Sequence, residues 1–151
     1  MPFFTFIFLF AKKRWYYILI RLQEIDAFSK GSLELAFVGD AVFTLFVRNK
    51  LVLQHNFNSG ILSKKCTSFV NANAQCKMLY ALEGKLTETE EGVVRRARNS
   101  SHGTKAKNSS IDNYNKATAL EALFGFLYLT GQIDRLQELQ EICYSLIANS
   151  Q

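Results

Sequence analysis

Residues 35–43 read LAFVGDAVF: eight small or apolar residues around one acid, Asp40. The segment that holds them, residues 33–53, sets Leu35, Val38, Val42, Leu45 and Phe46 at helical spacing. It contains no proline and runs out into NKLVLQHNFNSG, a fitting stop. A second stretch, ATALEALFGFLYL at 117–129, is built the same way, with Glu121 as its single acid. A helix that is apolar almost all the way round belongs inside a domain. An ionised carboxylate there is costly unless it is paired, bound to a metal, or neutralised. Asp40 and Glu121 are therefore ion-pair partners of cations such as Arg48 or Lys116, helix-end contacts, or ligands of a hard cation. Mg²⁺ commonly takes only one or two protein carboxylates and completes its shell with water and phosphate oxygens. The residues alone leave these readings open.

Around the two segments the chain reads as helices joined by polar connections. Residues 61–83 carry a helical pattern through Ile61, Leu62, Cys66, Phe69, Val70, Ala74, Met78 and Leu82, closing near Gly84. TETEEGVVRRAR at 87–98 opens another helix, with Thr87 as N-cap, Glu90 completing a capping box, and arginines toward the end that suit the helix dipole. NSSHGTKAKNSSIDN at 99–113 has no periodicity and reads as a long exposed loop. Residues 114–130 and 132–148 give the last two helices, the latter amphipathic through Ile133, Leu136, Leu139, Ile142 and Leu146. No strand pattern, internal repeat or second domain competes. The expected class is all-α, with the working domain at residues 30–149.

The 151 residues have one-domain length, nearly half of them are hydrophobic, and a net charge of +5 moderately favours an acidic partner. Three cysteines at wide spacing (Cys66, Cys76, Cys143) form no CxxC pair, and His55 and His102 are not at zinc-ligand spacing from them. They read as packing residues in a reducing compartment. Residues 1–29 are set apart by the opening MPFFTFIFLFAKKRWYYILIR. Its first apolar run is too short to span a bilayer, and its positive charge follows the run instead of preceding it as in a secretory signal. It reads as a packing element, a weak membrane-surface anchor, or, preferred on its contrast with the rest, an upstream extension of the reading frame. No stable membrane insertion is expected.

LELAFVGDAVFTLFVRNKL at 33–51 resembles the signature helix of the ribonuclease III family, with its Gly-Asp-Ala-Val core. ATALEALFGFLYLTGQ resembles that family's second acidic helix, and the order and separation of the two also fit. The resemblance covers roughly residues 30–148. Two of the family's four acids are missing: Ala36 stands four residues before Asp40, and Thr118 three before Glu121. A double-stranded-RNA-binding domain is not expected. That combination, with the basic stretch RRARNSSHGTKAKNSSIDNYNKAT at 95–118, is similar to the smaller Mini-ribonuclease III group.

The resemblance implies an all-α, ribonuclease III-like endonuclease domain that works as a two-fold homodimer. It implies cleavage of double-stranded RNA with Mg²⁺, held by Asp40 and Glu121 as catalytic acids and metal ligands. It also implies maturation of the ends of large-subunit (23S) ribosomal RNA precursor, with ribosomal proteins as further partners. Location would be the bacterial cytoplasm, or the plastid stroma if the gene is organellar. The duplex would be met by Arg95, Arg96, Arg98, Asn99, His102, Lys105, Lys107 and Asn108, which supply donors for phosphates and 2′-hydroxyls. The Phe37, Phe43 and Phe46 stripe reads as core or dimer seam. The competing reading is a non-catalytic RNA-binding or ribosome-associated protein on a degenerate ribonuclease III fold, which two lost acids would also suit.

Overall fold

The structure is a computed structural model that describes residues 24–54, 56–100 and 109–150. Its elements are α1 (Glu24–Ser29), α2 (Ser32–Gln54), α3 (Ser59–Val70), α4 (Ala72–Leu82), α5 (Glu88–Asn99), α6 (Ser109–Leu129) and α7 (Ile133–Ala148). No strand occurs among the described residues, so the all-α class holds.

Helix α6 is the axle. From Lys116 to Leu127 every residue except Glu121 is buried, and α2, α4, α5 and α7 all pack on it. Its end follows from one glycine. Gly131 takes φ 72°, a left-handed conformation that costs glycine nothing. The Gln132 N–H then reaches back to Leu127 O (2.9 Å) and the Gly131 N–H to Tyr128 O (3.0 Å).

The capping box of α5 forms as its sequence predicts. Thr87 N donates to Glu90 Oε2 (2.8 Å) and Glu90 N to Thr87 Oγ1 (3.3 Å). Arg135 of α7 clamps the same carboxylate through Nε (2.9 Å) and Nη2 (3.0 Å) and also reaches Lys85 O (2.7 Å). Burial alone would raise the Glu90 pKa, but Arg135 and Thr87 outweigh it and hold the carboxyl below its usual range.

The single helix expected over 61–83 is two helices. Asn71 sits between them in extended conformation (φ −76°, ψ 156°). Its Nδ2 donates to Thr67 O and Ser68 O at the end of α3, while its Oδ1 accepts from Ala74 N at the start of α4 (3.0 Å each). One side chain caps both ends, so the apolar periodicity crosses a bend without a Gly or Pro to mark it. Helix α6 starts at Ser109, five residues before the expected 114.

In the stretch read as an extension, α1 packs on the domain: Ala27 is fully buried and Phe28 lies against Phe126 at 5.2 Å. Residues 1–23 lie outside the described residues. The three cysteines are free and buried, and burial pushes the Cys143 thiol up to about 12, far from reactivity at neutral pH.

Candidate active site

The site is made by a close crossing of α2 and α6. A β-carbon at Gly39 would stand 1.7 Å from Glu121 O, and one at Gly125 1.9 Å from Leu35 O. No side chain fits at either place, so the two backbones touch. The residues next in line, Asp40 on α2 and Glu121 on α6, are brought to one pocket of about 270 Å³. Leu33, Phe37 and Tyr114 line it too, together with Ala36 and Thr118, the two positions where the fuller family pattern has acids. The lost carboxylates would therefore have faced the same space.

The acids are less buried than an all-apolar helix implies. Asp40 is exposed at the rim and Glu121 half-buried in the wall. The reason is that α2 does not go inside: Leu33, Phe37, Leu45, Val52 and Leu53 lie on its solvent side. Thr44 Oγ1 donates weakly to Asp40 Oδ1 (3.4 Å). Burial is the main cause that pushes the Glu121 carboxyl up to about 7; Gln75 pulls it down and the nearby Asp40 charge adds to the rise. Among the described residues neither acid forms an ion pair. Of the candidate cations, Lys116 is taken by Asp112 and Tyr80 of its own neighbourhood, and Arg48 stands in solvent.

Two carboxylates sharing one pocket without a cation repel, and a hard cation with oxygen ligands is the chemical complement of that pair. Among the described residues no third His, Cys, Asp or Glu joins them. The donor set suits a cation that keeps most of its shell for water and phosphate oxygens.

The predicted RNA-contacting residues divide. Arg95, Arg98 and Asn99 of α5 line a second, polar cleft of about 590 Å³ with Tyr80 and Lys116. Arg96 faces the other way: its Nη1 donates to Phe28 O and its guanidinium stacks over the Phe28 ring at 5.3 Å, tying α1 to α5. His102, Lys105, Lys107 and Asn108 lie outside the described residues. Of the phenylalanine stripe, Phe43 is fully buried against Phe124, Phe46 is partly buried, and Phe37 is exposed. Sequence reasoning missed Gln75, a buried amide beside Glu121, and Tyr114 at the pocket mouth, because neither carries charge or falls in a recognisable motif.

Comparison with known proteins identifies the family. The ribonuclease III domain matches residues 33–132, a span that includes both acids and both crossing glycines. The Mini-ribonuclease 3 of Thermoanaerobacter sp. (strain X514) is 39% identical over 126 residues, 83% of this chain and 89% of that protein. The Mini-ribonuclease 3 of Clostridium tetani is 33% identical over 138 residues, 91% of each. A crystal structure of a Fusobacterium nucleatum protein superposes with TM-score 0.68 at 30% identity, covering 86% of this chain and all of that one. By the span of the family match and the identity and coverage of these relatives, the chain belongs to the ribonuclease III family of endoribonucleases, in its Mini-ribonuclease 3 group.

Proposed function

We propose that this protein cleaves double-stranded RNA with Mg²⁺, as a homodimer, and that its substrate is precursor of the large-subunit (23S) ribosomal RNA in the bacterial cytoplasm. The observation that carries the reading is the pair Asp40 and Glu121, unpaired by any described cation and sharing one pocket at a helix crossing. Asp40 and Glu121 would hold the ion. Bound there, it would supply positive charge for the phosphate and lower the pKa of water. Asp40 is the acid at the exposed rim and Glu121 the half-buried one in the wall. Arg95, Arg98 and Asn99, with His102, Lys105, Lys107 and Asn108 on the following stretch, hold the duplex through phosphates and 2′-hydroxyls, which is how A-form RNA is recognised. A second copy covers the apolar solvent side of α2 about a two-fold axis.

Asp40→Asn keeps size and shape and removes the charge that binds the cation. It should abolish cleavage of long duplex RNA, while duplex binding persists or tightens as carboxylate–phosphate repulsion is relieved. Lys105→Ala with Lys107→Ala should do the reverse, weakening binding and flattening its salt dependence by a slope of roughly 1 for each phosphate no longer neutralised. An Asp40→Asn protein that cuts as fast as the parent would make the acid structural, and the non-catalytic reading would replace this one.

A further inference from the structure

Glu121 has a neutral neighbour whose chemistry the two-acid pocket does not explain. Gln75, on α4, is 2% exposed. Its backbone N–H is satisfied by Asn71 O (3.0 Å). Its side-chain Nε2 is buried and has no hydrogen-bond partner at normal length. The polar group this amide faces is the Glu121 carboxylate, across the packing of α4 on α6. A buried donor left unsatisfied costs about 1–3 kcal/mol. A methionine would fill nearly the same volume without that cost. Packing therefore does not account for an amide at this position, and a task directed at the carboxylate does.

We propose that Gln75 is a positioning residue of the nuclease site: its free Nε2–H takes hold of one Glu121 oxygen from inside the domain and leaves the other turned toward the pocket shared with Asp40. The inference rests on the reading that these two acids hold a divalent cation. A carboxylate has two oxygens, and a ligand that swings between them presents no fixed geometry. Carboxylates that bind metals are themselves hydrogen-bonded for this reason, and losing such a partner costs about 10- to 100-fold in metal affinity or activity. With Ala36 and Thr118 in place of the other two acids, a large share of the fixed geometry falls on Glu121. Gln75 thus compensates for part of what the smaller acid set lacks.

Gln75→Met removes the donor and keeps length and bulk. With Mg²⁺ and saturating long duplex RNA, single-turnover cleavage should fall about 10- to 100-fold, while duplex affinity measured without divalent cation stays at the parent value. Binding of Mn²⁺ to the RNA-free protein, followed by electron paramagnetic resonance, should weaken in parallel. Gln75→Glu keeps the shape but sets a third negative charge against Glu121, so cleavage should fall there too while Mn²⁺ binding tightens. A merely structural Gln75 would lower the unfolding midpoint and leave Mn²⁺ affinity unmoved.

If either variant fails to fold, the parent protein still answers. The Gln75 side-chain amide protons, resolved by NMR, should shift when Glu121→Gln is introduced and again when Mg²⁺ is added. Unchanged amide shifts, or a folded Gln75→Met with cleavage and Mn²⁺ affinity within about twofold of the parent, overturn the inference. Should Asp40→Asn and Glu121→Gln still cut RNA, the function of the acids falls instead, and the amide signal reports separately on whether the Gln75 contact exists.

Discussion

Helices α2 and α6 are near twins in composition. They have 23 and 21 residues, each is rich in Leu with several Phe, and each carries the acid and the glycine that meet at the crossing. Their surroundings differ. Helix α6 is enclosed by four other helices, and even its Lys116 is buried. Helix α2 encloses α6 with one face, through Leu35, Phe43, Val47 and Leu51, and turns the other to solvent, with Phe37 83% and Leu53 84% exposed. Two similar sequences are thus satisfied differently, one by its own domain and the other only halfway by it. Fully covering a side chain such as Phe or Leu contributes about 1.5–3 kcal/mol, so the bare face of α2 is a strong reason for association. The difference also sets the chemistry. Asp40 lies on the half-open helix and meets solvent, while Glu121 lies on the closed one and has its pKa pushed up to about 7, mainly by burial.

The crossing itself is where the comparison breaks most easily. Gly125→Val should cost about 3 kcal/mol or more in urea unfolding, because the new atoms run into the Leu35 carbonyl, which is backbone and has nowhere to retreat. Gly92→Ala is the control. An added β-carbon there meets nothing within 4 Å, and an alanine inside α5 should stabilise by about 0.5–1 kcal/mol. Equal effects at the two glycines would mean that the helices do not touch.

Much of this arrangement was legible from the residues, and the parts that were not have physical causes. The two acidic helices could be placed because their apolar runs are long and each has one charge. The α5 start could be placed because Thr87 and Glu90 are a capping box with a mechanism. The break at Asn71 was hidden, since a side chain that caps two helices at once leaves the apolar spacing intact. The exposure of α2 was hidden for a different reason: periodicity records that a face is apolar, and not whether its own domain or something else will cover it. Arg96 looked like its neighbours Arg95 and Arg98, but the 3.6-residue turn sends it to Phe28 instead of the polar cleft. Gln75 had no charge to draw attention.

A smaller effect sharpens the contrast through pH. Glu121 has a raised pKa in the folded protein, so the folded state holds its proton more tightly than the unfolded state does. Stability should therefore fall as pH rises from the ordinary carboxylate range through about 7, and stay level above that. Glu121→Gln removes the charge without changing shape. Thermal melting of metal-free protein should show the variant more stable than the parent at pH 8 and level with it at pH 4. A variant no more stable than the parent at pH 8 would mean that Glu121 is not held in closed surroundings on α6, and the distinction between the half-open and the closed helix would fail.

The smallest effect on folding, and the most telling for α2, is expected from Phe37→Ser with Leu45→Ser. Both side chains are on the solvent side and neither belongs to the buried cluster. Surface substitutions of that kind usually stay within about 0.5 kcal/mol. Unfolding followed at low protein concentration, where association adds nothing, should therefore give nearly the parent midpoint. If the proposed second copy sits on this face, sedimentation at micromolar concentration should instead change from dimer to monomer, because the face has lost its apolar anchors. The two measurements separate the explanations for an apolar face on a small domain. If the pair of serines unfolds the chain at all concentrations, the face is core and α2 is as enclosed as α6. If the chain folds and remains a dimer, the contact lies elsewhere. A folded monomer would leave α2 as the helix completed from outside, with Asp40 of each copy near the seam and the spacing of the two pockets set by how closely the α2 helices pack.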